Sequence, residues 1–417
     1  MAQLSDDCFA QGDRLMSTAE ALASLAETAV AVTAPIRLPL GEALGRILAE
    51  DILAGHDLPP ADNSAVDGYA VHFDDLEAEA ETRLPIVGRI TAGHPPQEPL
   101  ARGQAARIFT GAQMPPGPDT VMMQEDCREE GDAVAIRPGI KRGANRRLRG
   151  EDFKAGDRVL GKGLRLRAQD LGQAAAAGRE EVLVYAPLRV ALFSTGDELR
   201  EPGAALEPGA IYDSNRFALL GLLKGLGCEV EDLGILEDRL AVVEAALAGA
   251  AADHDLVVTS GGVSVGEEDH VKQAVEALGH LHLWRLAIKP GRPIAFGQIG
   301  RVPFVGLPGN PVAVMVTFMN VVRPVILRLM GASETAPRHF PVRAGFSHRK
   351  KKHRREWLRV SLEADGAGGW VARKFPREGA GILSSMVESD GLVELPEDLT
   401  ELEPGTSVDF LPFSEVS

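Results

Sequence analysis

A chain of 417 residues with 45% hydrophobic and 25% charged side chains is long enough for two to four globular domains, and this composition excludes extensive disorder. Its formal charge of −16 argues against a general binder of nucleic acid or of anionic membranes, because both functions need a basic surface. Three widely spaced cysteines without a C-x-x-C pair, and apolar runs interrupted by proline, glycine or charge, predict a cytoplasmic protein without a disulfide framework, zinc ribbon, signal peptide or membrane span.

The first predicted element is an amphipathic helix over residues 15–30. Apolar side chains recur there at helical spacing, and Ser17 with Glu20 forms a capping box. The same spacing continues from Leu40 to Leu53, so we expect a second helix with a packing role there.

From residue 57 to residue 143 the sequence becomes rich in proline and glycine and carries short β-prone runs, which predicts a small β-rich module. Beyond it, residues 155–166 have the pattern of a β-turn-β segment and residues 168–178 that of an alanine-rich helix. Both can return to pack against the N-terminal helices. We therefore expect a discontinuous N-terminal helical and β domain, residues 1–56 and 144–186, with residues 57–143 as an insertion.

Strands and helices alternate regularly over residues 187–332. Ser214 is placed to cap one helix, and Pro311 suits the first position of a long helix that begins after Asn310. Such a βαβ succession predicts a doubly wound, mostly parallel sheet with helices on both faces. Ligands of such sheets bind at the carboxyl ends of the strands.

The remaining residues, 333–417, return to short β-prone runs and predict a small barrel or sandwich. The five expected strands lie at residues 339–346, 356–362, 370–375, 391–395 and 407–413. The basic run from His348 to Arg355 is interpreted as a solvated hairpin tip, because one basic turn in an acidic chain is poor evidence for nucleic-acid binding.

Polar clusters follow the strands of the predicted α/β domain. One such loop alone is more often structural, but six on the same predicted edge favour a functional site. The clusters are Thr195–Glu198, Asp213–Asn215, Glu237–Asp238, Ser260–Asp269, Lys289–Arg292 and Gly306–Asn310.

The glycine-rich loop that ends at Asp269 is the most distinctive cluster. Its glycines let the backbone approach a ligand, and its N–H groups and the hydroxyls of Ser260 and Ser264 suit an anion such as phosphate. Asp238 and Asp269 are placed to hold Mg²⁺ against phosphate oxygens.

Positive charge near this edge comes from Lys289, Arg292 and Arg285, which are candidates for binding an anionic, phosphate-bearing ligand. No Ser-His-Asp, Cys-His or H-E-x-x-H pattern is legible, and the pair His280 and His282 lacks a third metal ligand. Electrostatic stabilisation around a metal-bridged phosphate is therefore preferred to nucleophilic catalysis.

Six motifs taken together resemble the molybdopterin molybdenumtransferase family, that of MoeA and the gephyrin E domain. The likeness covers nearly the whole chain, in order. The motifs start at Asp62 (DNSAVDGYA), Phe109 (FTGA), Val190 (VALFSTGDEL), Ser260 (SGGVSVG), Ala287 (AIKPGRP) and Gly306 (GLPGNP). The resemblance implies a homodimer of four-domain subunits that inserts molybdate into adenylylated molybdopterin, with Mg²⁺-assisted release of AMP.

The same resemblance implies the site residues. The implied catalytic residues are Asp67, Thr110, Asp152, Glu198, Asp238, Asp269 and Lys289, of which Asp238 and Asp269 would hold the metal. The implied substrate-binding residues are Ser260, Gly261, Gly262, Ser264, Gly266, Arg285, Arg292, Pro308, Gly309, Asn310, Arg359 and Ser384. In such dimers the inserted module of one subunit helps to form the partner's cleft, which gives Asp67 and Thr110 a place near the α/β edge.

Two positions depart from the family pattern. Arg285 stands where relatives commonly have a second lysine, and a guanidinium fork is not equivalent to a point-like ammonium. The segment around Ala380 lacks a serine that relatives can place there, which leaves Ser384 and Arg359 as secondary candidates for oxyanion contacts.

Two other functions stay open. One is adenylylation of molybdopterin, because the related α/β domain shares the S-G-G-x-S motif, and the other is a scaffold, as in the receptor-clustering role of a eukaryotic relative. The four-domain layout and the full set of charged residues favour the transferase. Molybdate and tungstate are nearly identical in charge and size, so both remain candidate oxyanions. The molybdopterin adenylyltransferase and apo-molybdoenzymes are candidate partners.

Overall fold

The computed structural model describes residues 15–28, 31–262, 270–291, 293–366 and 368–416, with the backbone alone for residues 24–28 and 283–285. These residues form a discontinuous N-terminal domain, an inserted β module, an α/β domain and a β-barrel. The predicted fold class is confirmed, whereas the exact domain boundaries stay predictions.

Two strand pairs close the N-terminal domain across the insertion. The elements up to residue 186 are α1 (Thr18–Thr28), β1 (Pro35–Pro39), β2 (Ile52–Leu53), β3 (Asn63–Ser64), β4 (Gly68–Val71), β5 (Thr82–Ile90), β6 (Ala105–Ile108), β7 (Thr120–Met123), β8 (Cys127–Glu130), β9 (Ala133–Ile136), β10 (Arg146–Arg147), β11 (Arg158–Leu160), α2 (Ala168–Ala176) and β12 (Glu181–Tyr185). Strand β1 pairs antiparallel with β12, and β2 with β11. Buried side chains from both sides of the insertion, such as Leu48 and Val184, therefore share one core.

Helix α1 begins at the predicted capping box. The Glu20 N–H donates to Ser17 Oγ at 3.2 Å, and the Ser17 N–H donates to Glu20 Oε2 at 2.8 Å. These two bonds satisfy N–H groups that have no partner inside a helix.

The helix expected over Leu40–Leu53 was a wrong prediction. A 3₁₀ turn at Leu40–Glu42 is followed by isolated bridges from Ile47 and Leu48 to the second half of the domain. Gly45 between them has a φ of +76°, a left-handed conformation that interrupts helical backbone. The apolar spacing reflects contacts with both halves of the domain rather than one helix face.

The inserted module is a six-stranded sheet in the order β7-β4-β6-β5-β9-β8. Four of its strands, β5, β6, β7 and β9, occupy the runs that the sequence predicts. Apolar side chains pack on both faces of the sheet, with Ile108 in one cluster and Met122 in the other. The module thus has its own core. It is connected to the N-terminal domain at two points, where the chain enters the module and where it leaves.

The α/β domain contains one six-stranded sheet. Its elements are β13 (Arg189–Thr195), β14 (Leu199–Arg200), β15 (Ile211–Tyr212), α3 (Asn215–Leu226), β16 (Glu229–Leu236), α4 (Leu240–Asp253), β17 (Leu256–Ser260), α5 (His270–Leu278), β18 (Gly279–Arg285), β19 (Ile288–Lys289), β20 (Pro293–Ile299), β21 (Val302–Leu307), α6 (Pro311–Thr317) and α7 (Arg323–Leu329). The order is β16-β13-β17-β21-β20-β18.

The sheet is mixed rather than uniformly parallel. Strands β16, β13, β17 and β21 are parallel, but β20 is antiparallel to both β21 and β18. Only Gly300 and Arg301 join β20 to β21, and so short a link makes a hairpin, whereas parallel neighbours need a crossover. The carboxyl ends of β13, β16, β17, β21 and β18 still share one edge.

A single π segment, Phe318–Val322, joins α6 and α7 into one helix. Within the described residues, Pro311–Leu329 is the one helix long and apolar enough to cross a bilayer, and 78% of its most apolar window is buried inside the protein. Its composition is accounted for by packing in the largest core cluster, with Phe318 and Val322 as members.

The C-terminal domain is a closed five-stranded barrel. Its elements are β22 (Phe340–Ala344), β23 (His348–Arg349), β24 (Arg355–Ala364), β25 (Trp370–Lys374), α8 (Ser384–Val387), β26 (Gly391–Leu395), β27 (Glu401–Leu402) and β28 (Ser407–Pro412). Strands pair in the circle β24-β25-β22-β28-β26-β24. All five predicted runs are barrel strands.

Strand β19 belongs to the α/β domain in sequence but to the barrel in pairing. Ile288 and Lys289 pair in parallel with Arg355 and Glu356 of β24. On its other side, the Ala287 N–H donates to the carbonyl oxygen of Met16 at 2.8 Å. Three distant parts of the chain thus meet directly behind Lys289.

Candidate active site

The carboxyl edge of the sheet and the barrel enclose a cleft of about 610 Å³. Residues from both domains line it, and two groups of them form opposite walls. The sheet-edge wall consists of Thr195, Gly196, Glu198, Asp238, Gly261, Gly262, Pro308, Gly309 and Asn310. The barrel wall consists of Lys289, Glu356, Arg359, Lys374, Arg377 and Glu378.

The sheet-edge wall presents two carboxylates, Glu198 and Asp238. Each follows a strand of the parallel part of the sheet, β13 and β16 respectively. Neither side chain has a hydrogen bond or ion pair with another residue in the described part of the chain. Both carboxylates are therefore available to a ligand or a cation in the cleft.

Two glycines let the loop after β17 lie close against its neighbours. Gly261 has a φ of +88°, and a Cβ there would lie 2.8 Å from the Thr195 carbonyl oxygen. Gly262 has a φ of +63°, and a Cβ there would lie 2.6 Å from Val271 Cγ2. Any other residue would strain the backbone at either position and would also force the loop away from Thr195 or Val271.

Ser260 has a different place from the one predicted. Its side chain is buried, and its Oγ accepts a hydrogen bond from Asn215 Nδ2 at 2.9 Å and lies 3.4 Å from the Pro308 carbonyl oxygen. Asn215 Nδ2 also donates to the Gly309 carbonyl oxygen at 2.7 Å. The Ser260 hydroxyl therefore supports the Pro308–Asn310 turn. That turn lines the cleft, whereas Ser260 does not.

Lys289 is held at the junction of the two domains. Its Nζ lies 3.6 Å from Glu356 Oε2 and 3.4 Å from Glu378 Oε2. Next to it, Gly291 has a φ of +91°, and a Cβ there would lie 2.2 Å from Thr317 Oγ1. The turn is thus packed tightly onto helix α6, while the Lys289 side chain remains 42% exposed and lines the cleft.

Glu356 is the buried anion of the barrel wall, with 1% of its side chain exposed. Burial by itself raises the pKa of this carboxyl, but hydrogen bonds from His348 Nε2 and from Arg354, with the charge of Lys289, outweigh burial and lower the pKa to about 2. Glu356 is therefore ionised at neutral pH and neutralises the cations around it.

Glu378 is the exposed anion of the same wall. Lys374 donates a hydrogen bond to Glu378 Oε1, and this bond, with the charge of Lys289, holds the pKa of the carboxyl below its usual value. Its side chain is 49% exposed, and it lies on the irregular segment between β25 and α8.

These groups form a ring. Lys374 Nζ lies 3.2 Å from His348 Nδ1, and His348 Nε2 lies 3.1 Å from Glu356 Oε2. Lys289 and Glu378 complete the circle from Glu356 back to Lys374. Two members of the basic run, His348 and Arg354, thus contact the Glu356 carboxylate of the barrel wall, whereas residues 351–353 are exposed as the hairpin interpretation expects.

Arg359 is a buried cation whose hydrogen bonds, among the described residues, all go to neutral groups. Its Nε donates to Ser385 Oγ at 3.1 Å and its Nη2 donates to the Gly379 carbonyl oxygen at 3.3 Å. Burial lowers the pKa of Arg359, with Glu378 opposing that shift. Ser384, the predicted neighbour, does not line the cleft in the described structure, and the hydroxyl beside Arg359 is that of Ser385.

Three further predicted residues, Asp67 and Thr110 of the inserted module and Asp152 of the N-terminal domain, are not among the lining residues of this cleft. Asp67 Oδ1 accepts hydrogen bonds from the Thr110 N–H at 2.8 Å and from Thr110 Oγ1 at 2.7 Å, which hold the pKa of the carboxyl below its usual value. Asp152 is an exposed residue whose N–H donates to the carbonyl oxygen of Leu58 at 3.0 Å. None of the three lines the cleft of its own subunit.

Four predicted site residues lie outside the described residues, namely Ser264, Gly266, Asp269 and Arg292, and only the backbone of Arg285 is described. Within the described ranges, no group of three or more His, Cys, Asp or Glu side chains has the arrangement of a metal site. The oxygen donors of Glu198 and Asp238 nevertheless fit Mg²⁺, which takes one or two carboxylates and completes its shell with substrate oxygens and water.

Sequence reasoning missed Glu356, Lys374 and Glu378. The sequence signal available for Glu356 was weak: it is a charged residue before the apolar pair Trp357 and Leu358 in a predicted strand, and the structure buries it with its neighbours up to residue 360. Nothing in the sequence links Lys374 and Glu378 to Lys289, because their contacts depend on how the barrel docks.

Family models cover most of the chain. Residues 16–178 match the MoeA N-terminal region (domain I and II). Residues 191–328 match a probable molybdopterin binding domain, and residues 341–413 match the MoeA C-terminal region (domain IV).

Individual relatives agree with these models. A molybdopterin molybdenumtransferase of Haemophilus influenzae is 40% identical over 381 residues, 91% of this chain and 94% of the relative. One of Nostoc sp. is 39% identical and covers 88% of this chain and 86% of its own length. The crystal structure of the molybdopterin biosynthesis moeA protein from Pyrococcus horikoshii OT3 superposes with a TM-score of 0.82 at 30% identity, covering 96% of this chain and 100% of that one. Over nearly its whole length, therefore, the chain belongs to the molybdopterin molybdenumtransferase family.

Proposed function

We propose that this enzyme inserts molybdate into the dithiolene of adenylylated molybdopterin, with Mg²⁺-dependent release of AMP. Relatives that are 40% and 39% identical over most of the chain are named molybdopterin molybdenumtransferase. The adenylylated substrate and the release of AMP go beyond what these names state and are part of the proposal.

The observation that carries the proposal is the division of charge across the cleft. Glu198 and Asp238, whose carboxylates have no partner among the described residues, lie on one wall, and Lys289 and Arg359 lie on the other. A ligand that carries both a metal-bridged phosphate and an oxyanion can use both walls at once. A cleft for a neutral ligand would have no need of this arrangement.

Asp238, together with Asp269, would hold Mg²⁺, and Glu198 lies on the same wall. When bound, the ion would act as a Lewis acid that offsets the charge developing on the phosphate as AMP leaves. Lys289 and Arg359 would bind and orient the anionic ligand in a partly water-excluded cleft, where electrostatic interactions are strongest.

The direct test is AMP release from adenylylated molybdopterin by the purified enzyme with Mg²⁺ and molybdate. We expect molybdate-dependent release by the wild type and loss by about 100-fold in Asp238→Asn. The matched control is Glu237→Gln, which removes the neighbouring carboxylate, 69% exposed and paired with Arg239. Equal activities in the two variants would remove Asp238 from the metal site. No release by the wild type, with tight molybdopterin binding retained, would favour a carrier or scaffold.

The homodimer is part of the proposal, because Asp67 and Thr110 do not line the cleft of their own subunit. If the inserted module completes the partner's cleft, Asp67→Ala and Asp238→Asn should each abolish activity alone. After the two variants are mixed and allowed to exchange subunits, each mixed dimer would contain one intact cleft, and activity should return. No recovery despite verified exchange would place Asp67 outside a shared site.

A further inference from the structure

The strongest feature that the proposed function leaves unused is Glu378, a carboxylate inside a cleft for anions. The described charged lining residues are balanced: Glu198, Asp238, Glu356 and Glu378 oppose Lys289, Arg359, Lys374 and Arg377. Glu378 bridges the ammonium groups of Lys289 and Lys374, each of which contacts a different one of its two oxygens. Two cations held by one two-oxygen anion is the arrangement that an oxyanion ligand would also adopt.

The two carboxylates that contact Lys289 differ in how firmly they are held. Glu356 is 1% exposed and accepts further hydrogen bonds from His348 and Arg354, so moving it would leave buried cations without a counter-ion. Glu378 is 49% exposed and lies on an irregular segment. An ion pair this exposed shifts an equilibrium by no more than about fivefold.

We propose that Glu378 is a displaceable internal anion: its carboxylate occupies, between Lys289 and Lys374, the place that two oxygens of a tetrahedral dianionic oxyanion take on binding. The ligand carries twice the charge of the carboxylate it replaces and gains both ammonium groups, while Glu356 keeps Lys289 in place. Glu378 thereby sets the oxyanion concentration at which the cleft fills. The inference rests on the proposed function in that molybdate is the expected oxyanion.

The test measures binding of molybdate alone by isothermal titration calorimetry at fixed ionic strength, without pterin or nucleotide. We expect Glu378→Gln to lower the Kd for molybdate by between about twofold and fivefold. Removing any carboxylate makes this acidic protein less repulsive to anions, so a control is needed. The control is Glu363→Gln, which removes a barrel carboxylate that does not line the cleft and whose Oε2 lies 2.7 Å from Arg373 Nε. That variant should bind as the wild type does.

A second variant tests the route of the effect. In a Lys374→Met background one of the two bridged cations is gone, so Glu378→Gln should change the Kd much less than it does in the wild type. The proposal is overturned if Glu378→Gln binds molybdate no more tightly than Glu363→Gln, or if neither these variants nor the wild type binds it. Loss of AMP release in every protein, with the binding pattern intact, would instead overturn the transferase reaction and leave this inference standing.

Discussion

The two walls of the cleft treat their charges in opposite ways. On the sheet-edge wall, Glu198 and Asp238 have no described partner, whereas on the barrel wall Glu356 and Glu378 are both ion-paired. Carboxylates that line a cleft without a partner among the described residues do not stabilise the fold there, so their presence favours a ligand that compensates their charge. Paired carboxylates stabilise the docking of the barrel and keep the cations in place. Substitutions on the first wall should therefore impair activity, and those on the second wall should also affect stability.

The largest stability effect is expected for Glu356→Gln. Neutralising this buried carboxylate removes the anion that pairs with Arg354 and one of the two that pair with Lys289, and should lower the free energy of unfolding by about 3 kcal/mol. Glu378→Gln, which removes the exposed carboxylate of the same ring, should cost less than about 1 kcal/mol. Guanidinium unfolding followed by tryptophan fluorescence would show the difference, since Trp357 is buried beside Glu356. Similar losses of unfolding free energy in both variants would mean that the burial of Glu356 does not make it more important for stability than Glu378.

The free energy of unfolding at acid pH should depend on the ionisation of Glu356. Its pKa is lowered from 4.5 to about 2, so its contribution is present above pH 4.5 and is lost as the pH falls from 4.5 towards 2. The wild type should lose roughly 3 kcal/mol relative to Glu356→Gln across this window. Urea unfolding of both proteins at pH 6, 4 and 3 measures the gap, with Glu363→Gln as the control. A gap that stays constant with pH would contradict the lowered pKa.

On the sheet-edge wall, Glu198→Gln should reduce AMP release by about 100-fold and leave the unfolding midpoint unchanged. The reason is that the carboxylate has no described partner to lose. The control is Glu207→Gln in the segment between β14 and β15. The Glu207 carboxylate is 73% exposed and lies 3.4 Å from Arg200. A clear drop in the midpoint for Glu198→Gln would show that this carboxylate has a structural partner after all.

The smallest effect is expected for Ser260→Ala. The change removes the acceptor for Asn215 Nδ2 below the Pro308 turn and should lower stability by about 1 kcal/mol. If the hydroxyl acts only through that turn, KM should rise modestly, with kcat nearly unchanged. A loss of kcat as large as that of Glu198→Gln would return Ser260 to direct contact with the substrate.

Local signals in the sequence were sufficient for much of this architecture. The barrel strands and the βα units have strong two-residue and helical periodicities, and loops that follow parallel strands must share an edge, so the positions of Glu198 and Asp238 could be predicted together. The prediction of a helix over Leu40–Leu53 was wrong because its apolar residues contact segments more than a hundred positions away. The spacing that suits those contacts resembles the spacing of a helix face.

The barrel wall could not be predicted in the same way. The contacts of Lys289 with Glu356 and Glu378 join the short strand β19, which follows the α/β domain strand β18 in sequence, to two separate segments of the barrel domain. No periodicity encodes such a contact, because it exists only after the barrel has docked. The burial of Ser260 is a similar case, since a serine in a glycine-rich loop is equally compatible with facing a ligand or supporting a neighbouring turn.

The two residues of β19 have a consequence for how this protein can be divided. Because Ile288 and Lys289 are hydrogen-bonded into the barrel sheet, the domain border drawn along the sequence is not a border in space. An excised α/β domain would have a different backbone at Lys289 from that of the intact enzyme, however well the remainder folded. Activity lost on removing the barrel would therefore say little about the barrel's own side chains, and point substitutions within the whole chain are the sound way to assign them.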